Sequence, residues 1–381
     1  MRRTRAGPPS ARVHPGKNHS QNTTERRIHD DHFTQAWDVP AGFADAWRGG
    51  PGRPDAVAPR LGGRQHHRRR SGRPYTEGYR KAFYDPFTEA TGIGVVSVAR
   101  DAEPTAQFKS VVETGSYIWD VCTITLSARL ILERDGLLDP IEVDPDLTKD
   151  LMPGAVHPNF LGVDVYSTIF AFNPDTVTPA PASWADFWDT DRILGRRALR
   201  KNPIDTLEQA LMADGVALAD LYPLDLDRAF AKLDKIKDQV AVWWTGGAQT
   251  SQMMQSGEVD MLAGWNARMQ AAIESGAPAQ IVWNQGLYSI EGWGLPKGGP
   301  KADAARKFVA FCTGAEQQAK FTQDLAYGPT NLKAYDHIAA ERAAELPTAP
   351  QNLKVMRMAD EVWWEANRAS VSERFNSWLL F

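Results

Sequence analysis

From Tyr75 onward the chain switches repeatedly between two hydrophobic periods, one near 3.6 residues and one of continuous or alternating apolar runs. Over residues 76–90, Tyr79, Phe83, Phe87 and Ala90 recur three and four apart, which predicts a helix bent by Pro86 and stopped by Gly92. Residues 94–99 read as a strand, 104–113 as a helix ended by Gly115, and 118–124 as a buried β-branched strand. A helix over 126–135 follows, closed by Gly136, then a strand over 164–172 and a short helix over 184–188 capped by Ser183. Pro203 opens the next helix from its first turn, and Leu226, Phe230, Leu233 and Ile236 make an apolar helical stripe.

The alternation goes on: strand 239–244, helix 249–255, strand 259–265, helix 267–274 and two short strands at 281–283 and 292–295. From 302 the chain reads as helical to its end, and no internal repeat occurs. Strands and helices in turn over some three hundred residues predict an α/β fold with mostly parallel sheets. One sheet would need too many strands, so two lobes with a cleft between them are expected.

Residues 1–73 share none of this periodicity. They hold six of the eight histidines and 15 Lys and Arg against 6 Asp and Glu, in a chain whose net charge is −4. Runs such as His66-His67-Arg68-Arg69-Arg70 cannot bury apolar surface, so residues 1–74 are read as a disordered basic tail, consistent with a frame-shifted or misassigned start. A nucleic-acid role for it lacks interleaved aromatics, and no secretory apolar core is recognisable. No stretch of eighteen apolar residues exists. Cys122 and Cys312 are expected to be separate buried thiols.

Candidate chemistry is sparse. There is no GxGxxG, no phosphate-binding Gly-rich loop and no GxSxG, and beyond the tail only His157 and His337 remain, neither with a partner at metal-ligand spacing. No metal, cofactor or catalytic group is therefore expected. What stands out is Trp243-Trp244, Trp265, Tyr288 and Trp293 at or beside strand ends, near Asp205, Arg268 and Glu291. Ligands of open α/β sheets lie outside the carboxyl ends of strands, where aromatic rings stack and attract cations.

These residues sit in a chain that resembles the type II periplasmic solute-binding proteins of ABC importers, with most similarity to the spermidine/putrescine branch. The matching stretches run in order from Phe87-Thr88-Glu89-Ala90-Thr91-Gly92-Ile93 through Trp119-Asp120-Val121 and Asp135-Gly136-Leu137-Leu138-Asp139-Pro140-Ile141. They continue with Ser183-Trp184-Ala185-Asp186-Phe187-Trp188, Gly257-Glu258-Val259-Asp260-Met261, Gly264-Trp265-Asn266, Leu295-Pro296-Lys297-Gly298 and Gly328-Pro329-Thr330-Asn331. The resemblance implies a type II architecture of two lobes, 75–168 with 267–318 and 169–266 with 319–381, hinged near 166–172 and 265–268. It implies a periplasmic monomer that captures a small solute and passes it to a membrane permease.

The resemblance also implies the contacts. Tyr75 lies in the loop after the first strand, Thr125 at a helix start, and Tyr166 and Thr168 at the crossover. Asp205 and Glu291 hold an amine, Trp244 and Trp265 are aromatic walls, and Tyr288 brackets the strand that ends near them. Arg268 departs from the polyamine pattern, which carries an acid three positions after the Trp matching Trp265. A guanidinium there pairs a carboxylate, so a γ-aminobutyrate-like ω-amino acid fits both charges. A polyamine with Arg268 turned away, a ferric-ion or anion carrier, and an enzyme on the same fold are the alternatives; ferric carriers use adjacent tyrosines, and no Tyr-Tyr pair occurs.

Overall fold

The computed structural model describes residues 74–98, 100 and 104–380, so the basic tail lies outside the described residues. Ten strands are hydrogen-bonded together: β1 (Cys122–Thr125), β2 (Leu138–Asp139), β3 (Val156–His157), β4 (Phe160–Phe172), β5 (Arg197–Arg200), β6 (Val240–Trp244), β7 (Met261–Trp265), β8 (Gln280–Pro296), β9 (Gly328–Pro329) and β10 (Met356–Met358). The main path runs β1-β8-β4-β7-β5-β6. The α/β class holds, but the sheet is not mostly parallel. β6, β5 and β7 are parallel, whereas β7 to β4, β4 to β8 and β8 to β1 are antiparallel.

Two strands are far longer than the sequence predicts, and they organise the rest. β4 begins at Phe160 rather than 164, and the two short strands expected at 281–283 and 292–295 are one strand of 17 residues. Between them Gln285 takes a positive φ of 61° within the strand and is held there. Its amide donates to Val355 O, and its carbonyl and side chain accept from Trp184. Where the strands cross, Gly162 faces Gly292; a Cβ on Gly292 would lie 2.4 Å from the Leu161 carbonyl oxygen, so only glycine permits that approach.

Each long strand contributes to different cores along its length. The first half of β4 and the second half of β8 (Leu161, Val163, Val165, Ile290, Trp293, Leu295) pack with Tyr79, Phe83, Phe87, Phe108, Trp119 and Phe308. The second half of β4 and the first half of β8 (Ile169, Phe170, Phe172, Leu287) pack with Trp184, Leu207, Phe230, Trp244, Leu262 and Phe375. Burial of such side chains stabilises each half by about 1.5–3 kcal/mol apiece.

Several local expectations need correction. Of the strand expected over 94–99, residues 94–98 form no ladder among the described residues, although Val95 is buried; an extended segment becomes a strand only when a neighbour pairs with it. The strand expected over 118–124 is limited to β1. The helix over 76–90 is three pieces, Pro74–Tyr79, a π-turn Arg80–Tyr84 and Asp85–Thr91, and Pro86 sits harmlessly in the first turn of the last. The C-terminal region is not all helix: β9 and β10 intervene before the long helix Glu361–Leu380. Both cysteines are free and buried. No described helix is long and apolar enough to cross a membrane.

Candidate functional site

Strand pairing decides which candidates meet. On β4, Asp164, Tyr166 and Thr168 alternate onto one face of the sheet. Their partners across the β8 ladder are Glu291, Ser289 and Leu287; Thr168 also faces Trp265 on β7, and Glu291 faces Thr125 on β1. Paired residues project to the same side, so Thr125, Tyr166, Thr168, Trp265 and Glu291 share one polar face. Tyr288 does not. It pairs with Ser167 and so points to the opposite face, packing into the cores there, which removes it from the site expected for it.

At one end of this face lies an acidic group. Tyr75 donates from its hydroxyl to Glu291 Oε2 at 3.0 Å, and Tyr79 donates to Asp164 Oδ2 at 2.6 Å. Arg100 pairs with Glu291 Oε1 and donates from Nε to Thr123 Oγ1 at 2.9 Å. Burial, reinforced by the Glu291 charge, holds the Asp164 carboxyl well above its ordinary range and favours its protonated form. Burial likewise raises the hydroxyls of Tyr75 and Tyr79, keeping them donors. Thr125 caps the helix Leu126–Arg134, its Oγ1 accepting from Ala128 N at 3.1 Å.

The other end is built on the parallel strands. β6, β5 and β7 end in Trp244, Arg200 and Trp265, with Arg200 directly opposite Trp244. Trp244 is fully buried, donates its indole N–H to Ala263 O at 2.9 Å, and meets Trp265 edge-on at 5.4 Å. It therefore backs the aromatic wall, and of the two rings only Trp265 is open to a ligand. Arg268 stands in the first turn of the helix Asn266–Glu274, close enough to Gly247 that a Cβ there would come 3.2 Å from its Nε and 2.7 Å from Trp265.

Asp205 is buried and has φ 71° and ψ −43°, the strained γ-turn region. Its carboxylate accepts from Arg200 Nη1 at 3.1 Å and from the Thr168 hydroxyl, so its partners are internal. Burial raises its pKa while Arg200 opposes the rise.

Sequence reading missed Arg200 and Tyr327. Arg200 carried no clear signal, because its strand, Arg197-Ala198-Leu199-Arg200, is half arginine and only four residues long. Tyr327 packs on Tyr75 at 5.6 Å and lies within electrostatic range of Asp164, Glu291 and Arg268, tying the two ends together. Among the described residues no cluster of His, Cys, Asp and Glu could hold a metal ion.

An acidic end and a guanidinium end walled by tryptophan, lying at strand ends of an α/β sheet, define a small-molecule binding protein. Comparison with known proteins makes this specific: the chain belongs to the bacterial extracellular solute-binding protein family, whose model matches residues 82–348. It is a binding component of transport and not an enzyme. It is 35% identical over 306 residues to a gamma-aminobutyric acid-binding protein of Pseudomonas aeruginosa, covering 78% of this chain and 86% of that one. An ABC transporter substrate-binding protein from Bradyrhizobium japonicum is 36% identical with a TM-score of 0.75, covering 81% of this chain and 97% of the other. The Atu4243-GABA receptor is 33% identical with a TM-score of 0.73, covering 81% and 95%.

Proposed function

We propose that this protein binds a small ω-amino acid of the γ-aminobutyrate type in the periplasm and delivers it, as a monomer, to the membrane permease of an ABC importer. The observation that carries the reading is the separation of charge on one polar face, with Glu291 at one end and Arg268 beside Trp265 at the other. A zwitterion with its charges several bonds apart offers one charge to each end, whereas an α-amino acid carries both on one carbon. Two relatives named for γ-aminobutyrate, each about one-third identical over most of the chain, support the same ligand class. Both Glu291 oxygens already have internal partners, so an incoming ammonium competes with Arg100 for Oε1.

Two lobes correspond to the two sets of cores, one on each half of β4 and β8. Phe321 packs with Tyr79 and Phe83, which supports assigning the helix Ala315–Asp324 to the first lobe rather than the second. Trp364 and Phe375 support assigning the long C-terminal helix to the second. A ligand touching both lobes favours closure by its differential affinity for the closed state.

Thermal melting of the full chain with γ-aminobutyrate, 5-aminovalerate, putrescine, spermidine and common α-amino acids tests this. At a hundredfold excess over Kd a bound ligand adds about 2.7 kcal/mol of apparent stability. The expected result is a shift with the ω-amino acids that Arg268→Ala abolishes. A shift with polyamines alone would overturn it.

A further inference from the structure

Arg200 has no assigned role, yet it is the best-built cation at these strand ends. Its guanidinium carbon lies 4.9 Å from the centroid of the Trp265 ring and 5.8 Å from that of Trp244. One nitrogen, Nη1, is tied to Asp205 Oδ2 at 3.1 Å, and the side chain is 16% exposed. Among the described residues Asp205 is its only side-chain hydrogen-bond partner. The guanidinium is thus held over an aromatic ring and fixed at one edge, with donors left over on the other.

Its position adds to this. Arg200 closes β5, between the parallel strands β6 and β7, at the carboxyl ends where ligands of such sheets bind. The next turn carries Asp205 in its strained backbone conformation, which aims the carboxylate back at Arg200 and Thr168 instead of outward. Thr206 Oγ1 donates to the Arg200 carbonyl at 3.1 Å and fixes the base of the side chain. Arg268 Nε and the Trp265 ring both lie against Gly247. One guanidinium over the tryptophan ring, tied on one side to an internal acid, and a second beside the same glycine make a seat for a planar carboxylate.

We infer that Arg200 is a ligand-binding residue that grips the carboxylate of the solute together with Arg268, and that Asp205 is the positioning residue for Arg200 and does not hold the amine. This deepens the proposed function and rests on it for the amine end only. A polyamine has no group for this seat, so Arg200 also sets specificity against diamines.

The test compares wild type, Arg200→Gln, Arg200→Lys and Asp205→Asn as full chains, by calorimetric titration with γ-aminobutyrate, 5-aminovalerate, glutarate and putrescine. Circular dichroism and melting of each free variant check that the fold is kept. Arg200→Gln is expected to weaken carboxylate ligands on the order of 10- to 100-fold, as loss of a charge-assisted pair does. Arg200→Lys, which keeps the charge but not the fork, should recover only part of this. Asp205→Asn should weaken carboxylates less than Arg200→Gln. Unchanged carboxylate affinity in Arg200→Gln, or a larger loss of γ-aminobutyrate binding in Asp205→Asn than in Arg200→Gln, would overturn the inference. Binding of glutarate but not γ-aminobutyrate by the wild type would sink the proposed ligand while leaving Arg200 tested on glutarate. A wild type that binds no carboxylate would sink both.

Discussion

Glu208 shows how one side chain can set the pH response of a fold. It is fully buried, and its Oε1 accepts from both the Tyr222 hydroxyl and the Trp364 indole at 2.6 Å; Oε2 has no partner among the described residues. Burial pushes its pKa up to about 8, from an ordinary 4.5, so the folded protein holds a proton that the unfolded chain releases. Stability is then unaffected by this group below about 4.5, falls as pH rises to about 8, and levels off above. A tenfold difference in proton affinity between the folded and unfolded chain corresponds to about 1.4 kcal/mol. Glu208→Gln should flatten the dependence of urea stability on pH across that window by a few kcal/mol. A slope equal to the wild type's would show that Glu208 ionises freely.

At the scale of elements, β8 does most of the organising, since it pairs with β1, β2, β4 and β10. Its weakest tolerance is at Gly292, where the missing Cβ is replaced by the Leu161 carbonyl and the Cα of Gly162 at 2.4 and 2.7 Å. Backbone cannot give way as a flexible side chain can. Gly292→Ala should therefore cost about 1–3 kcal/mol or more in chemical denaturation, because the two strands must separate to admit it. Gly276→Ala has nothing within 4 Å and carries only the penalty of its positive φ, so it serves as the comparison. Equal costs for the two would remove the steric argument.

The whole molecule is held together by elements that serve both sets of cores. β4 and β8 run through both, and the helix Glu361–Leu380 buries Trp364, Val371 and Phe375 in one while Arg368 donates to Ser127 Oγ at 2.6 Å on a helix of the other. Losing the ring of Phe375 should cost about 3–5 kcal/mol. Because the two halves share their central strands, Phe375→Ala should lower a single calorimetric transition whose calorimetric and van't Hoff enthalpies agree. Two resolved transitions, only one of them shifted, would mean that the halves unfold independently.

Much of this architecture is legible in the sequence. Periodicity locates most helices, because a helical face depends on residues three and four apart and needs no distant partner. The cap Ser183, the stops Gly92, Gly115 and Gly136, and the aromatic strand ends at Trp244 and Trp265 are equally local. Ladder partners are not local. Whether 94–98 is a strand, whether 280–296 is one strand or two, and on which face Tyr288 lies all depend on pairing between residues far apart in the chain. The same holds for the site. Arg268 and Glu291 stand out as chemistry in the sequence, but Trp244 is buried support and Asp205 an internal partner of Arg200. Those assignments follow from strand register and side-chain packing, which bring together β4, β5, β7 and β8 from well-separated stretches of the chain.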